Sequence, residues 1–263
     1  MAISGQNLGP LESFLEEIGE RYINLIYDEA GLGVVPAYCS YLNSVGYNGC
    51  MVLIDGGNSF NPYHVTRYSR LFSVDEGRTL DRICLSRAFT CHQLSALLGD
   101  RLESVVRRSG SRVVIVSDPT SLYTERAAEE DVLEEFLAAH RRLLELTYSQ
   151  RLATLLVGSH RLPRFLDGGE LEDGRRRRAA RCMERILSQM SDSIYRLEEG
   201  SGGLLVSRLK HPCLLQGPAA FIPNTRRAAT LDEILHTKPE KLTIPNPHQP
   251  LISIPKPALP GKV

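Results

Sequence analysis

The stretch Ile23–Val35, INLIYDEAGLGVV, decides how the rest of the chain is interpreted. Its first part, Ile23–Tyr27, is a largely apolar run of the length of a buried strand. A glycine-containing turn follows, and a helical pattern begins near Pro36, a residue that suits the first turn of a helix. Strand, glycine turn and helix in this order predict the opening unit of an α/β domain.

The same order of elements surrounds the nucleotide-binding loop GxxxxGK(S/T), whose backbone N–H groups hold phosphates. Aligned with that template, the chain has Asp28 at the first glycine, Gly33 at the second, Val34 at the lysine and Val35 at the hydroxyl residue. Gly31 lies between the two glycine positions. Since Gly33 alone matches, the loop is either an ordinary turn or a nucleotide site that has lost its phosphate chemistry.

Length and composition indicate a soluble protein with one core domain. The chain has 263 residues, of which 42% are hydrophobic and 24% charged, as is ordinary for a globular fold with a full core. The formal net charge is zero, so contact with nucleic acid would need a local basic patch. Arginine supplies most of the positive charge, and the first lysine along the chain is Lys210.

The cysteine and histidine patterns do not indicate a metal site. Six cysteines are scattered without a CxxC pair, which is typical of reduced thiols in a cytosolic protein. Four isolated histidines are expected to be structural: His64, His92, His140 and His211. No apolar run approaches the roughly 20 residues of a membrane span, and the polar start is unlike a secretory leader. We therefore expect a cytoplasmic protein without a membrane partner, with association with the nucleoid as one option.

Apolar runs predict five core strands at Ile23–Tyr27, Met51–Ile54, Ile83–Phe89, Val113–Val116 and Leu152–Val157. Helical patterns fall between them, most clearly at 92–107 and 127–148, where apolar residues recur at helical spacing. Strands that are apolar throughout and alternate with helices predict a mainly parallel sheet covered on both faces.

The pattern changes in the second half of the chain. We expect Arg161–Arg178 to be irregular and a helix to follow at Ala179–Met190. Three short segments, Ser193–Leu197, Gly203–Leu209 and Ala219–Ile222, suit antiparallel strands added to the sheet.

The chain ends in a proline-rich tail. From residue 238 onwards, seven prolines fall in 26 residues, which excludes regular helix or sheet. We therefore predict a core domain over 1–237 and a tail over 238–263. An inert tail and a partner-binding tail both remain open.

Five strings in unbroken order resemble the ATPase core of the RecA/RadA recombinases, especially archaeal RadA and its paralogues. They are IDGGNSF (Ile54–Phe60), SRAFTCHQ (Ser86–Gln93), VVIVSDPTSLY (Val113–Tyr123), LLVGSHR (Leu155–Arg161) and the segment Tyr195–Pro223. The family has IDTEGTF, ARAF…HQ, the Walker B strand, VVITNQV and a C-terminal hairpin at these places. The resemblance covers roughly residues 11–225 and implies a RecA-like P-loop NTPase core, a mainly parallel twisted sheet with helices on both faces and a C-terminal antiparallel extension.

The chain departs from this family at the catalytic positions. ATP hydrolysis needs a cation on the phosphates, a hydroxyl and an acid around Mg²⁺, and a residue that orients water. The resemblance places Val34 at the lysine, Val35 at the hydroxyl, Gly57 at the catalytic glutamate, Ser117 at the Walker B acid and His160 at the sensor glutamine. It therefore implies a pseudo-ATPase, with neither ATP nor Mg²⁺ expected as a cofactor.

Two aspartates remain candidates at this site. Asp118 directly follows Ser117, so a shift of one residue would restore an acid, and Asp55 directly follows the predicted strand Met51–Ile54. Both lie at strand C-termini, where α/β folds bind ligands. Either of them could instead cap the turn that follows it.

The resemblance also indicates where DNA would bind. In RadA-like proteins the loop after the sensor strand enters the DNA-binding centre, and here that loop carries Arg161, Arg164, Phe165, Arg175, Arg176, Arg177 and Arg178. Arginines suit the phosphates of single-stranded DNA, and an aromatic ring can stack on a base. The alternative is a solvated loop whose charge is partly offset by nearby acidic residues.

Three hypotheses follow. The first is a non-catalytic RecA/RadA-like paralogue that assists homologous recombination and repair by binding single-stranded DNA, a recombinase or another paralogue. A predicted core that begins by about residue 11 favours this accessory role over strand exchange. The second is an ATPase with a variant site, and the third is a structural or signalling module of the circadian-clock type. The fold does not choose among them.

Overall fold

The computed structural model describes residues 9–19, 22–31, 33–127, 129, 131–158, 170–201 and 203–223, without the side chains of 170–173. These residues belong to one compact unit, Met1–Asn224. The predicted domain boundary at 237/238 and the proline-rich tail lie outside the described residues. No helix in the described part of the chain is long and apolar enough to cross a membrane.

The described strands form one sheet of eight, in the order β3-β2-β4-β5-β1-β6-β7-β8. The strands are β1 (Ile23–Asp28), β2 (Met51–Asp55), β3 (Ile83–Arg87), β4 (Val113–Ser117), β5 (Ala153–Gly158), β6 (Ser193–Gly200), β7 (Gly203–Lys210) and β8 (Gly217–Pro223). Neighbours from β3 to β6 are parallel, and β7 and β8 are antiparallel. The predicted fold class is confirmed.

The helices are α1 (Gly9–Glu16), α2 (Val34–Ser44), α3 (Pro62–Leu71), α4 (Glu76–Asp81), α5 (Cys91–Ala96), α6 (Leu102–Ser109), α7 (Ser121–Glu125), α8 (Val132–Gln150) and α9 (Glu170–Met190). Side-chain oxygens of Asn61, Asp75 and Thr90 cap α3, α4 and α5, which fixes where these helices begin. The pattern at 92–107 predicted one helix, but a π-helical segment, Leu97–Arg101, separates α5 from α6.

Alternate strand residues supply two apolar layers, one on each face of the sheet. Leu25 and Ile54 pack with the helices α5 to α9, whereas Ile26 and Leu53 pack with α1, α2 and α3. Both faces of the central strands are therefore buried, as expected for parallel strands that are apolar throughout.

Two predictions for the second half of the chain are wrong. The segment Ser193–Leu197 was expected to be antiparallel, but β6 runs parallel to β1, with Asn24 opposite Ser193. It follows a helix, and a connection of that kind returns a strand in parallel. The segment Arg161–Arg178 was expected to be irregular, but α9 begins at Glu170. Arginine is a good helix former, and the buried side chains of Ala179, Ala180, Met183 and Leu187 hold α9 against the sheet.

His140 is buried in the layer formed by α5 to α9. Its Nδ1 lies 2.8 Å from the carbonyl oxygen of Phe136, and its ring centroid lies 4.1 Å from that of Phe136. Burial lowers the pKa of His140 to about 4, and the hydrogen bond to Phe136 opposes that shift. The folded protein therefore keeps this imidazole neutral where an unfolded chain, with an ordinary pKa of 6.5, takes up a proton.

We expect His140 to make stability depend on pH. Its folded pKa is depressed, so its contribution is complete above pH 6.5 and is lost as the pH falls towards about 4. The loss between pH 7 and pH 4 should be about 3 kcal/mol. Urea unfolding of the protein and of His140→Gln, which keeps a donor for Phe136 but does not titrate here, measures it. An equal loss in both proteins would contradict the assignment.

Candidate functional site

The carboxyl edge of the parallel strands holds the residues for which the sequence predicts a nucleotide site. Asp28 ends β1, Asp55 ends β2 and Ser117 ends β4, so all three lie along one edge, where α/β folds bind ligands. Asp55 lies opposite Ser117 in the sheet, whereas β5 separates β4 from β1.

A carboxylate closes the loop between β1 and α2. Asp28 Oδ2 accepts hydrogen bonds from the backbone N–H of Gly33 at 2.9 Å and of Val34 at 3.2 Å. Gly33 precedes the helix at φ 76°, a left-handed conformation that glycine adopts without steric cost. Gly31, at φ 66°, forms the exposed part of the turn. The side chain that ends the strand therefore satisfies the first N–H groups of the helix.

The position of this carboxylate matters for electrostatics. The N-terminus of a helix carries a partial positive charge, and its N–H groups are an anion-binding site in strand–loop–helix units. In this loop the anion is part of the chain. A phosphate that approached the same N–H groups would have to displace Asp28.

The two valines of the loop are part of the core. Val34 is fully buried and Val35 is 7% exposed, and both pack in the apolar layer that contains α1, α2 and α3. Neither side chain can offer a charge or a hydroxyl. Lys210, the first lysine of the sequence, pairs with Ile194 at the opposite edge of the sheet. Its Nζ donates there to the carbonyl of Ser191.

Neighbouring elements hold the loop in place. The N–H groups of Glu29 and Ala30 each donate to the carbonyl of Leu197 in β6, at 3.1 Å. On the other side, a Cβ at Gly33 would lie 3.4 Å from Pro36, 3.7 Å from His64 and 3.8 Å from Tyr68 of α3, so these side chains border the loop. Burial raises the pKa of Tyr68 to about 12, an effect that the nearby Asp28 charge reinforces and Arg67 opposes. Tyr68 therefore faces the loop as a neutral phenol.

Asp55 caps the turn that follows β2. Its side chain is fully buried, and its carboxylate oxygens accept hydrogen bonds from the N–H of Ser59 at 3.1 Å and of Phe60 at 3.0 Å. The Nε of Arg87 lies 3.6 Å from Asp55 Oδ2. The sequence left open whether Asp55 binds a ligand or caps the turn that follows it. These two hydrogen bonds are the contacts of a cap.

Asp118 lies against Gly57. A Cβ at position 57 would come within 2.9 Å of both Cβ and Oδ2 of Asp118, so Asp118 takes the space of any side chain there. Asp118 has φ 51° and accepts a hydrogen bond from the N–H of Ser121, the first residue of α7. Ser117 Oγ lies 3.3 Å from Ser59 Oγ. The predicted positions 57, 117 and 118 are therefore brought together.

The predicted DNA-binding residues divide into two groups. His160, Arg161, Arg164 and Phe165 lie outside the described residues. Arg175 to Arg178 lie in the first half of α9, not in a loop, which corrects the prediction.

Helix α9 presents a row of arginines to solvent. The exposed members, which we call the α9 arginine face, are Arg175, Arg177, Arg178, Arg181 and Arg185. Gly174, Arg177, Arg178 and Arg181 line a groove of about 330 Å³. Among the α9 side chains that the structure describes, Glu184 is the only acid. Local positive charge of this kind is what a chain of zero net charge needs in order to hold a polyanion.

Sequence reasoning missed Arg181 and Arg185, although a signal was present. They follow Arg178 at the spacing of one helix face, which becomes visible once α9 is known to begin before residue 175. It also missed the capping role of Asp28. Comparison with the nucleotide-binding loop template showed only that a glycine is absent at this position.

The sheet order, the helices on both faces and the loop at the carboxyl edge define a RecA-like α/β core. The Rad51 family model matches residues 35–147, from the first turn of α2 into α8. This match agrees with the resemblance to the RecA/RadA recombinases that the five strings carry. Asp55, Gly57 and Asp118 fall within the matched residues.

We expect Asp28→Ala to lower the free energy of unfolding by about 1 kcal/mol, within 0.5–2, because two N–H groups at the start of α2 lose their acceptor. Asp28→Asn keeps a side-chain oxygen and should lose less. Urea denaturation of the three proteins measures the difference. Equal stability of Asp28→Ala and the unsubstituted protein would show that the two hydrogen bonds contribute nothing.

Proposed function

We propose that this protein is a non-catalytic RecA/RadA-like paralogue, an accessory factor in homologous recombination and DNA repair. Its proposed partners are single-stranded DNA and a recombinase or second paralogue. The observation that carries the proposal is the Asp28 carboxylate on the N–H groups of Gly33 and Val34. A chain that supplies its own anion at this place has no use for the phosphates of a nucleotide. Such a role would place the protein in the cytoplasm, at the nucleoid.

The residues around the loop do not fit a triphosphate. A phosphate brought beside Asp28 would meet like charge, and desolvating it without a cation costs several kcal/mol. The side chains at the lysine and hydroxyl positions, Val34 and Val35, are buried and apolar, so they cannot neutralise the charge of a phosphate. At position 57 a glutamate could not be accommodated without moving Asp118. These features agree with one another and support a pseudo-ATPase that needs neither ATP nor Mg²⁺.

Under this proposal, Mg-ATP leaves the thermal unfolding midpoint unchanged. A ligand at a hundred times its Kd would add about 2.7 kcal/mol of stability, which corresponds to several degrees for a protein of this size. Thermal unfolding with Mg-ATP and with inorganic phosphate measures the effect. Asp28→Ala is the matched variant, because phosphate that stabilises it alone would identify the carboxylate as the excluding group. A midpoint raised by several degrees in the unsubstituted protein would instead support the ATPase hypothesis.

The α9 arginine face supports the DNA-binding part of the proposal. Guanidinium groups contact phosphates regardless of base sequence, and their binding weakens as salt rises because counterions are released. Arg178, Arg181 and Arg185 recur at intervals of three and four residues, so a single strand laid along the helix would meet them in succession.

Replacing Arg178, Arg181 and Arg185 together with alanine should weaken binding of single-stranded DNA at low salt. The slope of log affinity against log salt should fall by about 2, since each lost phosphate contact removes about 0.7. Fluorescence anisotropy with a labelled oligonucleotide measures both quantities. The control replaces Arg101, Arg107 and Arg108 together with alanine. These three arginines are exposed, Arg101 just before α6 and the other two in its last turn. Equal slopes for the α9 variant and the unsubstituted protein would disprove the contact.

A further inference from the structure

Three side chains of different chemistry converge between α5 and α8. Cys91 and His92 lie in the first turn of α5, and Glu135 lies in the first turn of α8. One ligand atom of each residue lies within 4.8 Å of those of the other two. His92 Nδ1 and Glu135 Oε1 are 2.9 Å apart.

A positively charged nitrogen already lies between these side chains. Nη1 of Arg126 donates to Cys91 Sγ at 3.0 Å, contacts His92 Nε2 and lies 4.0 Å from Glu135 Oε2. Nη1 also lies 3.4 Å from His92 Nδ1, so it faces both ring nitrogens. The three ligand atoms therefore surround a cation.

We propose that this cluster is a binding site for a divalent transition-metal ion, zinc by its ligand set, at the position of Arg126 Nη1. Thiolate sulfur, imidazole nitrogen and carboxylate oxygen are the three ligand types of zinc. His92 Nδ1 and Glu135 Oε1 are 2.9 Å apart, which is within the separation of two ligand atoms on one zinc ion.

Arg126 can leave this position without losing its main partner. Its Nε donates to Glu129 Oε1 at 2.6 Å, and its Nη2 contacts Glu129 Oε2, so only Nη1 faces the cluster. A metal ion would displace Nη1, while the ion pair with Glu129 remains. The guanidinium and the metal ion compete for the same ligands.

Metal binding removes a proton from one ligand and requires the ligand atoms to move closer together. The Cys91 thiol loses its proton to solvent as its sulfur binds the metal. Zinc bonds of about 2.0–2.3 Å require the ligand atoms to approach to about 3.5 Å. Rotation of His92, whose side chain is 61% exposed, supplies this movement.

Cobalt titration of the full-length protein tests the site. The background should be Cys182→Ser with Cys213→Ser, because those two thiols are exposed and could bind metal adventitiously. We expect one Co²⁺ per chain with thiolate-to-cobalt absorption in the near ultraviolet, displaced by Zn²⁺. We also expect Zn²⁺ to raise the thermal unfolding midpoint.

Variants separate a metal site from a cluster that only holds Arg126. Arg126→Gln removes the competing cation and should tighten Co²⁺ binding about tenfold. His92→Gln, at an exposed position, should weaken it about tenfold to a hundredfold, whereas His64→Gln, an exposed histidine on α3, should not change it. The proposal fails if no Co²⁺ binds, if Arg126→Gln binds no more tightly, or if Cys91→Ser retains the thiolate absorption. Since Cys91 is buried, circular dichroism of each variant confirms the fold, and the exposed His92 keeps the test decisive if Cys91→Ser does not fold.

Discussion

The contact between the Asp28 carboxylate and the first N–H groups of α2 is the interaction on which the carboxyl edge of this sheet depends. It joins the last residue of β1 to the start of the first helix after it, and it uses the helix dipole within the chain. Because the loop is closed from within, Val34 and Val35 can belong to the core instead of facing a ligand. The contacts of Glu29 and Ala30 with β6 then fix the same loop from the other side.

Much of the fold could be predicted from local patterns, and the errors have physical causes. The five core strands are apolar on both faces, which marks them without knowledge of their neighbours. The direction of β6 depends on the helix before it, which its own residues do not encode. Helix α9 was expected to begin at Ala179 because Gly174 and four consecutive arginines lack an apolar stripe. The buried residues after Arg178 stabilise the whole helix nevertheless.

Less of the candidate site could be predicted. The nucleotide-loop template located Asp28, and two of the five strings located Asp55, Gly57 and Asp118, because strand ends are visible in the sequence. The sequence did not encode which atoms they contact, since capping depends on the backbone of each turn. Local patterns also do not predict contacts between residues that are far apart in the chain. His92 and Glu135 are 43 residues apart, and their spacing matches no metal-ligand motif.

The closed loop also has a consequence for assemblies that include this chain. In a nucleotide-driven protein, exchange of the ligand changes the loop and so sets the lifetime of contacts made next to it. The Asp28 carboxylate is covalently part of the chain, so it does not dissociate from the loop as a bound nucleotide does. Under the proposed function, a partner that binds at this edge of the sheet meets one constant surface, so the timing of assembly and disassembly comes from that partner.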